Sequence, residues 1–278
     1  MAQEIGEQTK VTLDLKTIGT IVGFTIALAT TYFTLKADIA IAMEMPEPEI
    51  SSVEFKYKDE LIRSNVEKVI EQVDNIEKDV DEIINDVRNG GDASILELTE
   101  RLDGQKVANI SDLKVSNSDR VAAVANCESE ILDALNFAAN RIRSFHEKQF
   151  PQDYEVENMD TKLKSVWKPI DSVGLYIPGG NAVYPSSLIM SVVPAQIAGV
   201  KRIVCVTPPS NDFNPYIAFL LDELNISEVF QVGGAQAIAA LTYGTQTIKP
   251  VNKIFGPGNA YVAAAKKQVF GKVGIDLI

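Results

Sequence analysis

Short apolar segments alternate with predicted helices between residues 172 and 270, and this alternation constrains the fold more than any other feature of the sequence. The apolar segments are residues 173–177, 202–206, 228–232 and 253–255. Each ends in a glycine- or proline-containing loop, and each loop leads into a helix. Four successive βα units are typical of a parallel, doubly wound sheet. The predicted fold class is therefore α/β: an incomplete Rossmann-like parallel sheet of βα units, preceded by a helical N-terminal region.

Three polar side chains are predicted to meet at one edge of this sheet. Tyr176 ends the first strand, Gln236 follows a pair of glycines, and Asn259 follows a Gly-Pro-Gly loop. The carboxyl ends of parallel strands lie at one edge, and ligands bind in the crevice there. Helix N-termini expose N–H donors that suit phosphate, and glycines let a ligand approach the backbone. The pattern favours a site for a dinucleotide or another polar metabolite.

The same residues also have a purely structural interpretation. Glycines occur in the turns of any α/β sheet, and Asn259 at a helix start is a good N-cap. Neither common phosphate-binding motif, G-x-G-x-x-G or G-x-x-x-x-G-K-[ST], occurs in the chain. The residues alone leave both interpretations open.

Residues 17–35 form an uncharged apolar segment between Lys16 and Lys36. A helix of that length spans about 28 Å, close to the hydrocarbon thickness of a bilayer. Threonines and two glycines reduce its hydrophobicity. The alternatives are a membrane anchor, a buried segment of a soluble domain and a signal peptide, and the preceding Glu4 and Glu7 disfavour the signal peptide. We expect membrane association through residues 17–35 as a single-pass anchor.

A long amphipathic helix is predicted after a proline-containing linker at residues 45–49. Its apolar residues recur every three or four positions over three heptads, at Val66, Val69, Val73, Ile76, Val80, Ile83 and Val87. Ile70 and Ile84 widen this stripe, which favours docking on a globular core over a coiled coil. The helix is predicted to end at residues 89–92, with Asp92 capping the next helix.

The net charge of −12 and the scarcity of histidine and cysteine exclude several classes of protein. Residues 1–100 hold 9 Lys/Arg and 21 Asp/Glu, and the rest of the chain holds 17 of each. Such a chain does not neutralise nucleic-acid phosphates, so we expect no nucleic-acid partner.

Cys127 and Cys205 are far apart and outside any C-x-x-C motif, which favours a reducing, cytoplasmic location without disulfides. His146 is the only histidine, near the end of a helix predicted over residues 121–149. A surface role there is favoured over catalysis.

Several long segments match one enzyme family. They are VGLYIPGG at 173–180, YPSSLIMSVVPAQIAGVKRIVCVTPP at 184–209, VGGAQAIAALTYGT at 232–245 and KIFGPGNAYVAAAKKQVFGKVGID at 253–276. NGGDASILELTERLDG at 89–104 and RIRSFHEKQF at 141–150 match earlier segments of the same family. Over about residues 80–278 the chain resembles histidinol dehydrogenase, which catalyses the last steps of histidine biosynthesis.

The resemblance implies a zinc-dependent, NAD-linked oxidoreductase that oxidises L-histidinol to L-histidine with two NAD. It implies that Tyr176, Gln236 and Asn259 contact NAD and that the chain forms a homodimer with interlocked subunits. The family's zinc ligands and its Glu-His base pair follow an Ala-Gly-Pro-Ser-Glu segment, expected beyond Ile278. No catalytic residue and no metal ligand is therefore assigned, and the chain alone is expected to be catalytically incomplete.

Three interpretations of the whole chain remain. The first, which we favour, is a fragment of histidinol dehydrogenase with a foreign N-terminal segment. The second is a membrane-anchored coiled-coil interaction protein carrying a vestigial dehydrogenase half, and the third is one half of a split enzyme.

Three regions are predicted along the chain. Residues 1–50 hold the hydrophobic segment and linker, and residues 51–150 form the helical N-terminal region. Residues 151–278 form the Rossmann-like NAD-binding α/β region, incomplete at its C-terminal end. A small antiparallel excursion is predicted around residues 162–170.

Overall fold

A computed structural model describes residues 15–43, 52–125, 127–179 and 184–277. The predicted linker at residues 45–49 and Gly180 of the first glycine loop lie outside these ranges. The chain divides into two compact units, Met1–Glu67 and Lys68–Ile278. The region boundaries expected at residues 50 and 150 remain predictions.

The first unit contains helix α1 (Leu15–Met43) and the start of helix α2 (Ser52–Gly90). Residues 16–41 of α1 are exposed along their whole length. Within α1, the stretch Lys16–Ile41 is long and apolar enough to cross a membrane.

The apolar stripe of α2 changes environment along the helix. In its earlier part, Val69 and Val73 are half exposed, whereas Val80 and Val87 are fully buried in the hydrophobic core of the second unit. The prediction that this helix docks on a globular core is confirmed for the turns from Val80 onward.

Two local predictions in the helical region are wrong. Helix α3 (Asp92–Asp103) has Gly91, with φ +58°, as its N-cap, and the Asp92 carboxylate instead accepts hydrogen bonds from the N–H and hydroxyl of Thr247. The single helix expected over residues 121–149 is two helices, α4 (Asn117–Val124) and α5 (Ser129–His146). The shorter helix, α4, packs against the helix at Pro215–Glu223, whereas α5 packs mainly against the helix at Pro185–Ile197.

An antiparallel hairpin connects these helices to the main sheet. Strands β1 (Tyr154–Asn158) and β2 (Thr161–Ser165) pair from Tyr154 opposite Ser165 to Asn158 opposite Thr161. The predicted antiparallel excursion is present, but it begins about eight residues earlier than the sequence suggested.

The main sheet has five parallel strands in the order β5-β4-β3-β6-β7. The strands are β3 (Ser172–Tyr176), β4 (Arg202–Val206), β5 (Glu228–Phe230), β6 (Lys253–Phe255) and β7 (Gly274–Ile275). The helices that follow β3 to β6 are α6 (Pro185–Ile197), α7 (Pro215–Glu223), α8 (Gly234–Tyr243) and α9 (Ala260–Val269). The predicted α/β fold with a Rossmann-like parallel sheet and a helical N-terminal region is confirmed.

Both faces of the sheet are covered by helices, as in a doubly wound fold. Along β4, Val204 and Val206 point into a core shared with α2, α3, α8 and α9. Cys205 lies between them and points into the opposite core, which α5, α6 and α7 complete. This alternation with a period of two is expected for a strand buried on both faces.

Candidate functional site

A cleft of about 660 Å³ lies at the carboxyl edge of the sheet. The lining comes from the end of β3, the loop after β4, the starts of α8 and α9, and parts of α2 and α3. It consists of Asp79, Glu82, Ile83, Arg101, Leu102, Asp103, Tyr176, Pro208, Gly234, Ala235, Gln236, Asn259 and Tyr261. All three residues singled out in the sequence, Tyr176, Gln236 and Asn259, are among them. These side chains are up to 83 positions apart in the chain, yet they lie together at the carboxyl edge of the sheet.

Tyr176 ends β3 and is 4% exposed. Its hydroxyl accepts a hydrogen bond of 3.2 Å from the backbone N–H of Gly234, at the start of α8. Burial, with a smaller contribution from the charge of Asp103, raises the pKa of the phenol above its ordinary value, although the Gly234 N–H opposes the shift. The phenol therefore keeps its proton at neutral pH and can still donate a hydrogen bond.

Gln236 lies in the first turn of α8 and is 1% exposed. Its amide Nε2 donates a hydrogen bond of 3.1 Å to Oδ2 of Asp103, the last residue of α3. Burial raises the pKa of Asp103, and the hydrogen bond from Gln236 partly offsets that rise. This pair holds a buried amide and a partly buried carboxylate side by side in the wall of the cleft.

Asn259 is the N-cap of α9, as its structural interpretation predicted. Its Oδ1 accepts a hydrogen bond of 3.1 Å from the backbone N–H of Val262. The residue is also exposed and lines the cleft. Capping uses only the oxygen of the amide, so the Nδ2 group can donate to a ligand while the cap is intact.

The sequence reasoning missed the acidic wall of the cleft. This wall contains three carboxylates, Asp79 and Glu82 of α2 and Asp103 of α3. Arg101 is the one cationic side chain in the lining of the cleft. The facing wall contains the first turns of α8 and α9, whose N–H groups and dipoles favour anions. One wall therefore suits phosphate oxygens, whereas the carboxylates of the other suit hydroxyl and amine donors.

The described residues do not provide a donor set that fits zinc. Within them there is no group of three or more His, Cys, Asp and Glu side chains placed to hold a metal ion. His146 lines a separate cavity of about 640 Å³, away from Tyr176, Gln236 and Asn259. Burial raises the pKa of the Cys205 thiol to about 12, so this residue is a neutral core side chain.

Comparison with known proteins identifies the family. The family model described as histidinol dehydrogenase matches residues 66–278. The histidinol dehydrogenase of Mesorhizobium japonicum is 48% identical over 207 residues, which are 74% of this chain and 48% of the relative. That of Methanothermobacter thermautotrophicus is 47% identical over 226 residues, covering 80% of this chain and 52% of the relative.

The fold comparison agrees with the sequence comparison. The crystal structure of histidinol dehydrogenase from Elizabethkingia anophelis superposes with a TM-score of 0.69 at 35% identity, covering 73% of this chain and 47% of that one. The chain thus spans about half the length of the curated relatives it matches. It belongs to the histidinol dehydrogenase family.

Proposed function

We propose that the chain supplies the NAD-binding part of an oxidoreductase of L-histidine biosynthesis that acts on L-histidinol, and that the cleft at the sheet edge binds NAD. The observation that carries the proposal is the convergence of Tyr176, Gln236 and Asn259 on one cleft that also contains the first turns of two helices. Family membership supports the reaction, since the relatives are histidinol dehydrogenases. The coiled-coil interaction protein considered as an alternative has no support from these relatives.

The residues of the cleft fit the chemistry of NAD. The N–H groups that begin α8 and α9 suit its phosphates, and the carboxylate of Asp103 suits a ribose hydroxyl. Tyr176 and Asn259 provide neutral donors that orient a ligand without adding charge. Bound NAD supplies a hydride acceptor, and the protein's part is to hold it in one orientation. Because no donor set for zinc is found among the described residues, we assign no step to a metal.

The NAD proposal predicts that Gln236→Ala and Asn259→Ala each weaken NAD binding about tenfold, because each removes a polar group from the cleft. Titration calorimetry with NAD measures the effect. Asn214→Ala is a matched control: Asn214 caps α7 through its side chain, as Asn259 caps α9, but it does not line this cleft. Both cap variants should lose about 1 kcal/mol of stability. Equal NAD affinity in the two cap variants would contradict the assignment of Asn259.

We further infer that the chain forms a homodimer, as the family resemblance implies, and that its α/β region lies in the cytoplasm. The two cysteines are both free, which agrees with a reducing compartment. Sedimentation equilibrium of the purified chain should give twice the mass of 30.3 kDa, after correction for any bound detergent. A monomer at all concentrations would refute the dimer.

A second proposal concerns α1: we propose that it crosses a membrane as a single-pass anchor. The stretch Lys16–Ile41 has 26 residues and none of its most apolar window is buried. At 1.5 Å per residue it measures about 39 Å, enough to cross the hydrocarbon with some tilt. Between Lys16 and Lys36 the apolar side chains are not confined to one face of the helix, which is typical of a helix surrounded by lipid or by protein.

The threonines of α1 do not weaken this proposal. The hydroxyls of Thr20, Thr25, Thr30, Thr31 and Thr34 each donate to the backbone carbonyl four residues earlier, at 2.8–3.0 Å. In hydrocarbon an unsatisfied hydroxyl is costly, because no water is there to bond it. Since these hydroxyls are satisfied within the helix, the lipid would meet mainly their methyl groups.

The anchor predicts that the chain stays in the membrane pellet after alkaline carbonate extraction. Leu28→Arg, near the middle of the span, should release part of the chain, because an arginine there costs about 3 kcal/mol. Leu61→Arg is the matched control, since Leu61 is a similarly exposed leucine of α2, outside the span. Recovery of the unaltered chain in the supernatant would refute the anchor.

A further inference from the structure

A partly buried ion pair lies behind the Gly-Pro-Gly loop that leads to Asn259. Lys266 lies in α9 and its side chain is 5% exposed, whereas Asp276 lies just after β7 and its side chain is 24% exposed. Nζ of Lys266 lies 2.6 Å from Oδ1 of Asp276. Burial alone would raise the pKa of Asp276, but hydrogen bonds from Lys266 and from two backbone N–H groups together hold it below its ordinary value. The Asp276 carboxyl is therefore ionised at neutral pH.

Both members of the pair bind the same glycine. Oδ2 of Asp276 accepts the backbone N–H of Gly256 at 2.8 Å, and Nζ of Lys266 donates to the Gly256 carbonyl. The two polar groups of this residue are thus held by opposite charges. Gly256 is the first residue of the loop that ends at Asn259, so the pair fixes the loop where it leaves β6.

Gly256 is also in direct contact with Tyr176. Its φ is +119°, and a Cβ at this position would lie 2.1 Å from the backbone oxygen of Tyr176. The Tyr176 hydroxyl in turn accepts the N–H of Gly234 at the start of α8. The ion pair, the Gly-Pro-Gly loop, the end of β3 and the start of α8 therefore form one connected set of contacts behind the cleft.

Stability alone gives a weak reason for burying these charges. The desolvation of a buried ion pair offsets much of its attraction, and apolar replacements are often as stable. The pair differs from the neighbouring Lys267–Glu77 pair, whose side chains are 55% and 38% exposed and which holds no loop of the cleft. What distinguishes the Lys266–Asp276 pair is that both of its side chains form hydrogen bonds with the backbone of Gly256.

We propose that Lys266 and Asp276 are positioning residues for the nucleotide cleft, holding Gly256 so that Tyr176 and Asn259 keep the geometry that binds NAD. This proposal rests on the proposed NAD site. Neither residue lines the cleft, so their effect on the ligand passes through the loop.

The test compares three lysine or arginine variants of the full chain in mild detergent. Lys266→Met removes the buried charge, and Lys267→Met removes the neighbouring surface charge. Arg202→Met breaks a partly buried pair with Glu228. This pair lies at the amino ends of β4 and β5, away from the cleft, and Arg202 also donates hydrogen bonds to the carbonyls of Lys249 and Pro250 there. Titration calorimetry measures the Kd for NAD, thermal unfolding measures stability, and hydrogen exchange reports on the loop at residues 256–259.

Lys266→Met is expected to raise the Kd for NAD about tenfold at temperatures where the variant is fully folded, because displaced contacts lose affinity steeply. It should also speed amide exchange at Gly256. Arg202→Met should lower thermal stability with an unchanged Kd, and Lys267→Met should change neither quantity by much. Asp276→Asn should reproduce the Lys266→Met result.

Two results would overturn the proposal. An unchanged Kd in folded Lys266→Met would show that the pair acts on stability alone, and unchanged exchange at Gly256 would show that it does not hold the loop. If the unaltered chain binds no NAD, the proposed function fails; faster exchange at Gly256 would then still show that the pair holds the loop, but its positioning role for NAD would fall with the site.

Discussion

Gly256→Ala is expected to destabilise the protein by about 4 kcal/mol, the sum of backbone strain and overpacking. An alanine at φ +119° is strained, and its Cβ would be forced against the carbonyl oxygen of Tyr176. This oxygen belongs to the backbone at the end of a central strand, so it cannot move aside as a flexible side chain would. Urea unfolding in mild detergent, followed by circular dichroism, measures the loss.

Gly271→Ala separates the two contributions. Gly271 has φ +91°, but a Cβ there would meet no atom within 4 Å. Only the strain then remains, so the expected loss is about 1–2 kcal/mol. Equal losses of unfolding free energy in the two variants would show that the close approach of Gly256 to Tyr176 does not contribute to the cost. The contact between Gly256 and Tyr176 would then not be part of the set of contacts behind the cleft.

The fold could be predicted from the sequence because its signals are local. Each of the first four strands of the sheet, β3 to β6, is a short apolar segment, and each following helix begins at glycine, proline or asparagine, as at Asn214 and Asn259. These signals do not depend on distant contacts. The two-residue strand β7 has no such signal and was not predicted. The split between α4 and α5 was missed because Arg120 draws α4 towards α7, bonding Asp222 and the Ile226 carbonyl about one hundred residues away.

The candidate site was predictable in part for a related reason. Tyr176 ends a strand, and Gln236 and Asn259 lie where a helix begins after a strand. Parallel strands bring their ends, and the helix starts that follow them, to one edge. Asp103 has no such signal, because it ends a helix whose position over the cleft is set by packing of α3 against the rest of the unit. The bond from Gln236 to Asp103 joins residues 133 positions apart.

The apolar stripe of α2 shows the limit of periodicity. Ile70 and Ile84 occupy the same heptad position two heptads apart, yet Ile70 is 55% exposed and Ile84 is 6% exposed. The repeat indicates which side of the helix is apolar. It contains no information about where along the helix the core begins.

These two isoleucines therefore give a matched pair of substitutions. Ile84→Ala should destabilise the protein by about 2–4 kcal/mol, because it leaves a cavity in the core, whereas Ile70→Ala should cost less than about 0.5 kcal/mol. Urea unfolding of both variants under the same conditions measures the difference. Similar large losses would mean that the stripe is buried along both heptads, as in a coiled coil. The predicted difference would support docking that begins near Val80, with the earlier turns of α2 contributing little to the folded unit.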